Sequence, residues 1–253
     1  MNNVLVTGAS GLIGGILNEK LTEHNLFGVD IKECDYKNFE MSNILDSKKL
    51  ETIMSKNKID TVVHLAGNAS VGANWESLSL NNFTGTENVF NACKETGVKK
   101  IIFASSNHAV GLFENDTPYK EIISGKYKDI SINYKLISPH CEVRPDSLYG
   151  VSKAFGENLG RFYYENYNIK VACLRIGSVI KDNNPKVKNS NRFFSTWCSH
   201  DDIAGLIDAC IKSNKIRYDI FYGVSDNDWK IWDITNIEKI LSFKPTSNSE
   251  RYR

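Results

Sequence analysis

Asn3-Val4-Leu5-Val6-Thr7-Gly8-Ala9-Ser10-Gly11-Leu12-Ile13-Gly14 opens the chain with a short β-branched run, a glycine-punctuated turn and the start of a helical pattern. The glycines stand at G-x-x-G-x-x-G spacing, directly between strand and helix. Without Cβ atoms the backbone turns tightly and can approach a pyrophosphate. The helix that follows offers unpaired N–H groups at the positive end of its dipole. The stretch therefore predicts a dinucleotide site built on Gly8, Ser10, Gly11, Leu12, Ile13 and Gly14.

The helical pattern runs on through Ile16, Leu17 and Leu21, and a second strand, Leu26 to Asp30, ends in a carboxylate. A carboxylate at that strand end accepts hydrogen bonds from both ribose hydroxyls and repels a 2′-phosphate, so NAD is favoured over NADP. Lys32, a flexible ammonium able to reach such a phosphate, is the nearby residue that argues the other way.

Working outward, Lys48 to Ser55 reads as a helix, Thr61 to Leu65 as a strand and about Asn74 to Thr96 as a long helix. Lys100 to Ala104 is a fourth strand, stopping at Ser105-Ser106. Near-continuous apolar strands alternating with helices predict a parallel sheet covered on both faces. Residues 111–147 break this rhythm with a polar stretch containing Pro118, Gly125, Pro139 and Pro145. A helix from about Ser147 to Asn166, a strand at Lys170 to Leu174, a helix at Asp201 to Lys212 and a strand at Asp219 to Tyr222 restore it. No composition shift marks a linker. The expectation is one α/β domain over residues 1–253, a Rossmann-type doubly wound parallel sheet with helices on both faces and a small C-terminal substrate region. Its NAD-binding core spans about 1–175, with substrate-side elements at about 107–147 and 176–200.

The bulk numbers narrow the function classes. The chain has 253 residues, with 31 basic and 30 acidic side chains, and is 41% hydrophobic. That balance lacks the basic excess of a nucleic-acid surface. No apolar run approaches the roughly 20 residues of a membrane span. The first residues lack a positive segment followed by an apolar one, so no secretory leader is expected. The 6 cysteines, Cys34, Cys93, Cys141, Cys173, Cys198 and Cys210, contain no C-x-x-C pair. They read as reduced thiols of a cytoplasmic protein, with neither zinc-ligand spacing nor a disulfide framework. No metal site is expected.

Tyr149-Gly150-Val151-Ser152-Lys153 puts a phenol and an ammonium at i and i+4, on one face of a helix. A phenol with a pKa near 10 is a poor base at neutral pH. A neighbouring ammonium stabilises the phenolate and makes Tyr149 usable as a general base. The same Lys153 is placed to hydrogen-bond a nicotinamide ribose. Ser105 and Ser106 close the fourth strand, where open α/β sheets bind ligands, and a hydroxyl there can hold the reacting oxygen.

The set Thr7 to Gly14, Asp30, His64-Leu65-Ala66-Gly67, Asn82, Ser105-Ser106 and Tyr149/Lys153 resembles the extended short-chain dehydrogenase/reductase superfamily, the NAD-dependent epimerases and dehydratases, along nearly the whole chain. The resemblance implies Tyr149 as base, Lys153 as its activator and Ser106 as the serine orienting the hydroxyl. It also implies Leu65, Ala66, Gly67, Asn82, Ser105 and Ile176 beside the cofactor. Asn43 and Ile44 match the adenine contact, although Asn43 stands where the family often carries Asp.

Three segments resemble uronate dehydrogenases in particular: Ser105-Ser106-Asn107-His108-Ala109-Val110-Gly111, Arg144-Pro145-Asp146-Ser147-Leu148-Tyr149-Gly150, and Arg192-Phe193-Phe194-Ser195-Thr196-Trp197-Cys198-Ser199-His200-Asp201-Asp202. Arg175-Ile176-Gly177-Ser178 fits as well. This resemblance implies Arg192 on the sugar carboxylate, and Ser70, Ser106, Asn107, His108 and Ser178 around the sugar ring. The residue types agree: a guanidinium gives planar, bidentate carboxylate recognition, and Asn and His suit a polyhydroxylated ligand. Arg192 also reads as a surface or phosphate-facing charge, His108 as a satisfied structural histidine, and His200-Asp201-Asp202 as a helix start.

The implied reaction is NAD-dependent oxidation of the C1 hydroxyl of a hexuronic acid (glucuronate or galacturonate) to an aldarolactone, with a small-molecule sugar acid as partner. Three other readings stand beside it. A nucleotide-sugar epimerase or dehydratase needs more chain after Ser178 than is present. A glucose 6-phosphate type dehydrogenase would set Arg192 on phosphate. A non-enzymatic NAD-sensing regulator commonly lacks the tyrosine or lysine retained here. The stretch between Gly111 and Arg144 is longer than in the uronate dehydrogenases, and is expected to reshape specificity, act as a lid or pack against a second subunit. Homo-oligomers are usual in the superfamily.

Overall fold

The computed structural model describes residues 2–131 and 133–253. Seven strands form a single parallel sheet: β1 (Asn3–Thr7), β2 (Asn25–Asp30), β3 (Asn38–Met41), β4 (Thr61–His64), β5 (Lys100–Ser106), β6 (Lys170–Ile176) and β7 (Tyr218–Gly223). Their order is β3-β2-β1-β4-β5-β6-β7. Chain direction along the sheet therefore reverses between β1 and β4, and an open α/β sheet offers its ligand crevice outside the strand ends at that switch.

Period-2 alternation of apolar side chains loads both faces of this sheet. Val4, Val6, Val63, Ile102, Ala172 and Leu174 face one core, with Ile16 and Leu17 of α1 (Leu12–Lys20) and Ile203 and Leu206 of α8 (His200–Lys212). Leu5, Val62, Ile101, Phe103 and Val171 face the other, with α2 (Ser47–Lys56), α4 (Gly85–Thr96) and α6 (Leu148–Tyr167). Strands buried on both sides need no polar face, which is why they read as continuous apolar runs.

The long helix expected over Asn74–Thr96 is three pieces. They are α3 (Trp75–Leu78), a π-helical turn (Ser79–Thr84) and α4. Asn74 caps the start by accepting from Ser77 N at 2.9 Å, and Gly97 ends it with φ +74°. Short elements that no periodicity announced are β3 at the sheet edge, α5 (Tyr119–Ile123), α7 (Arg192–Thr196) and α9 (Thr235–Leu241).

The long stretch after Gly111, described apart from Ile132, packs on the C-terminal part of its own chain. Tyr134 Oη donates to Lys230 O at 2.7 Å, and Ile137 bridges Trp232. Tyr127 stacks on Trp229 with ring centroids 4.3 Å apart. These contacts tie it down as a wall beside β6 and β7. Among the described residues, no helix is long and apolar enough to cross a membrane.

Candidate active site

A cleft of about 970 Å³ runs along the carboxyl ends of β1, β2, β4, β5 and β6. Its lining includes Gly8, Ser10, Gly11, Leu12, Ile13, Gly14, Asp30, Asn43, Ile44, Leu65, Ala66, Gly67, Ser105, Ser106, Asn107, His108, Tyr149, Lys153, Ile176 and Ser178. Most of the residues singled out from sequence thus meet in one place.

Backbone geometry builds the first half of the cleft. Gly8 sits at φ +79°, and a Cβ there would lie 2.7 Å from Ala66 N, between β1 and β4. Gly11 is the N-cap of α1 and supplies no side chain to cap it. The first-turn N–H groups are therefore left for an external acceptor, as an anion site requires. Asp30 is fixed at the end of β2: its Oδ2 accepts from Ser10 N at 3.0 Å and its Oδ1 from Lys32 N at 3.2 Å. Each oxygen keeps a further lone pair for a ribose hydroxyl. A glycine cradle that a Cβ would fill, a free helix N-terminus and a strand-end carboxylate fit a dinucleotide such as NAD.

Side chains build the second half. Ser147 caps α6 by accepting from Gly150 N at 3.0 Å. Gly156 lets α6 lie against the Phe103 ring of β5, where a Cβ would collide with it. The helix therefore delivers Tyr149 and Lys153, one turn apart, to the end of β5. Lys153 is buried, donates to Ala104 O at 2.8 Å, and holds its nitrogen 5.6 Å from the Tyr149 ring centroid. Burial lowers its pKa to about 8. Burial also raises the Tyr149 phenol above its ordinary value, and a hydrogen bond with Ser106 pulls it back. The sequence reading credits Lys153 with lowering the phenol; in the structure the counterweight to burial is Ser106, while the ammonium is engaged by a carbonyl.

The two serines closing β5 have separate partners. Ser105 Oγ donates to Glu157 Oε1 at 2.6 Å. That carboxylate also takes both arms of Arg175, at 2.9 and 2.9 Å, with both side chains buried. Ser105 is thus anchored from beneath, and Ser106 is the hydroxyl beside Tyr149. Asn107 is 3% exposed, and its Nδ2 has no hydrogen-bond partner among the described residues. An orphaned buried donor at the wall of a cleft is an unusual expense unless a ligand oxygen satisfies it. His108 Nδ1 pairs with Asp146 Oδ2 at 2.7 Å, and its ring lies 5.8 Å from that of Tyr149. His64, by contrast, is wholly enclosed between Thr7 and Thr86, and burial drives its pKa down to about 3, so it is neutral and structural.

Three expected contacts lie elsewhere. Asn82, expected beside the cofactor, is buried behind the cleft wall in the π-helical turn. Its Oδ1 accepts from Asn68 N at 2.7 Å, and its Nδ2 donates to Asn68 O and to Ser152 Oγ, each at 3.0 Å. It braces the loop after Gly67 against α6. Ser70 is exposed and does not line the cleft. Arg192, expected on a substrate carboxylate, instead closes on a carboxylate of its own chain. Its Nε and Nη2 donate to Glu114 Oε2 and Oε1 at 2.6 and 2.8 Å. Conversely, the cleft includes Asn68, Val179, Ile180 and Lys188, none of which the sequence points to, and Phe193, which the sequence offers only as part of the Arg192 segment. Lys188 sits in a polar, aperiodic stretch just before that segment.

Comparison with known proteins follows the same lines. The model of the NAD dependent epimerase/dehydratase family matches residues 4–200. The chain is 32% identical over 264 residues to an NAD-dependent glucose-6-phosphate dehydrogenase of Haloferax volcanii, covering 98% of this chain and 95% of that protein. It is 32% identical over 260 residues to a uronate dehydrogenase of Pseudomonas syringae pv. tomato, covering 100% of this chain and 84% of that protein. Among solved structures, a uronate dehydrogenase mutant from Agrobacterium tumefaciens complexed with NAD superposes with a TM-score of 0.82 at 30% identity, covering 100% of this chain and 88% of that one.

Proposed function

This chain belongs to the NAD-dependent epimerase/dehydratase family, and we propose that within it the chain oxidises the C1 hydroxyl of a hexuronic acid, glucuronate or galacturonate, to the aldarolactone. It is an NAD-dependent oxidoreductase acting on a CH–OH group, as its likeness to uronate dehydrogenases indicates. The substrate, the reacting carbon and the parts of individual side chains are what the proposal adds.

In this reading the Gly8–Gly14 turn and the first N–H groups of α1 hold the pyrophosphate. Asp30 holds the adenosine ribose, Asn43 and Ile44 border the adenine, and Leu65, Ala66, Gly67 and Ile176 flank the nicotinamide half. When bound, NAD supplies the acceptor for the hydride leaving C1. Tyr149 Oη takes the proton of the C1 hydroxyl while Ser106 Oγ holds the same oxygen. The electron pair released by that proton forms the second C–O bond as the C1–H bond breaks. Because C1 of a pyranose also bears the ring oxygen, the product is a lactone. The Ser106 hydrogen bond offsets part of the burial that raises the phenol, and Lys153, charged below its pKa of about 8 and 5.6 Å from the ring centroid, adds Coulomb attraction as the phenolate forms. Asn107 Nδ2 donates to a ring hydroxyl, and His108, oriented by Asp146, offers Nε2 to another. With base, hydroxyl holder and ring contacts fixed before the reaction, positioning supplies much of the rate.

The observation that carries the reading is the unpartnered Asn107 amide nitrogen beside the Tyr149–Ser106 pair, a donor left for a polyhydroxylated ligand at the point where a base and a hydroxyl converge. A second reading, a sugar phosphate, is supported by the likeness to the glucose-6-phosphate dehydrogenase of Haloferax volcanii; the Arg192–Glu114 pair bears on carboxylate and phosphate alike. The test is NADH formation, followed optically, with glucuronate, galacturonate, glucose and glucose 6-phosphate, each under NAD and NADP. Turnover of a uronate with NAD is expected; turnover of glucose 6-phosphate and neither uronate would replace the proposal with the second reading.

A further inference from the structure

We infer that Lys188 anchors the substrate's anionic group, and that Arg192 with Glu114 is a fixed clamp beside the pocket. The inference rests on the proposed oxidation of an anionic sugar and names the group that selects it. Glu114 takes the Nε–Nη2 edge of the Arg192 guanidinium, at 2.6 and 2.8 Å. Glu114 is 9% exposed, so opening the pair would strand a buried carboxylate, an expensive state unless another cation replaces the first. Arg192 is also absent from the cleft lining.

Lys188 presents the opposite picture. It ends the short 3-10 turn Pro185–Lys188, is exposed, and lines the cleft. Its nitrogen stands 6.0 Å from the ring centroid of Phe193, which lines the same wall. Among the described residues it makes no ion pair. Lys181 and Lys186, close in sequence, also make no ion pair among the described residues but do not line the cleft, and Arg253 pairs with Glu250 at 2.7 Å. Within the cleft, Lys153 is held by Ala104 O beside Tyr149, and Lys32 lies next to Asp30 at the far end. That leaves Lys188 as the unmatched positive charge among the described residues where Ser178, Val179 and Ile180 continue the wall.

An ammonium on a flexible stem is a compact point charge with no demand for planar, bidentate geometry. It accepts a carboxylate or a phosphate at the far end of a pyranose alike. The shared requirement is a sugar with a free anomeric hydroxyl and an anion on the distal carbon.

The test measures NADH formation and, independently, equilibrium binding of glucuronate, glucose 6-phosphate and glucose to the enzyme–NADH complex through NADH fluorescence. Wild type, K188A, K188R and the double variant E114Q/R192Q are compared; the double variant removes both charges of the clamp and so avoids a stranded carboxylate. In K188A the KM and Kd of the preferred anionic sugar rise about tenfold relative to those of glucose, about 1.4 kcal/mol, with a smaller change in kcat, and K188R recovers most of the loss. The double variant keeps anionic-sugar affinity within about twofold, while its thermal midpoint shifts. Unchanged anionic-sugar affinity in K188A overturns the inference, as does a loss in the double variant matching that expected of K188A. If wild type turns over no sugar, the oxidation reading fails, yet the binding titration still decides Lys188: loss of anion binding in K188A upholds it. Retained binding in K188A, or no anionic sugar bound by wild type, overturns it.

Discussion

The two ends of the cleft are built by different means. At the Gly8–Gly14 end the ligand-facing groups are backbone N–H donors, held by a turn that only glycines can follow, with one carboxylate, Asp30, set by a strand end. At the Tyr149 end the contributing atoms are side-chain tips delivered by a helix, a strand end and two aperiodic stretches. Several of those tips are aimed by partners far away in sequence. Glu157 reaches from α6 to Ser105 and Arg175, and Asp146 reaches across to His108. A backbone-built site tolerates side-chain drift, whereas a tip-built site depends on its pairings. One fold can therefore keep its cofactor end while its substrate end changes.

That difference can be tested from the reacting end. Tyr149→Phe removes one oxygen from a tip-built site and should lower kcat by roughly 10²–10⁴. NAD binding, followed by protein fluorescence, should stay within about twofold. A comparable loss of NAD affinity would show that the two ends are not separable.

Next come the two ion pairs. Glu157→Gln leaves the Arg175 guanidinium buried and uncompensated beneath β5, and should reduce stability in urea by about 3–5 kcal/mol. Glu114→Gln acts on a pair whose side chains keep 11% and 24% of their exposure, and should reduce it by only about 1–3 kcal/mol. Equal losses would erase the distinction between an enclosed brace and a clamp at the rim.

At the cofactor end, Asp30→Asn removes the charge that opposes a 2′-phosphate. The ratio of kcat/KM for NAD over NADP should fall about tenfold, about 1.4 kcal/mol, with Lys32 available to the phosphate. An unchanged ratio would mean that the backbone turn alone sets cofactor choice.

The smallest effect is one of pH. Lys153 has its pKa lowered to about 8 by burial, well under its ordinary value, so the unfolded chain binds the proton more tightly than the folded one. The penalty for burying the ammonium is fully present below pH 8 and is relieved as pH rises above it, so stability should increase from pH 8 towards 10. Lys153→Met should lose that increase along with its activity. An identical slope in the variant would refute the assignment of the shifted group.

How much of this was legible in the sequence follows the same division. The alternation of β1, β4, β5 and β6 was readable because both faces of the sheet are buried, and the glycine turn because a special backbone demands a special residue. The edge strand β3 was not: Asn38-Phe39-Glu40-Met41 carries two polar residues and no β-branched one, and it owes its conformation to pairing with β2. Asn82 and Arg192 carried the right residue types for a ligand, but their partners, Asn68 and Glu114, are chosen by tertiary contact. Lys188 shows the converse. Nothing local distinguishes it from Lys181 or Lys186, and only the folding of its turn onto the cleft sets it apart.

The most direct measurement of the central claim is the fate of the anomeric carbon. Glucuronate labelled with ¹³C at C1 is incubated with enzyme and NAD and followed by carbon NMR as NADH accumulates. The account predicts loss of the anomeric signal in step with NADH and the appearance of a lactone carbonyl at the labelled carbon before any open acid. NADH formation with the labelled carbon still anomeric, or a new sugar epimer without net NADH, would contradict it.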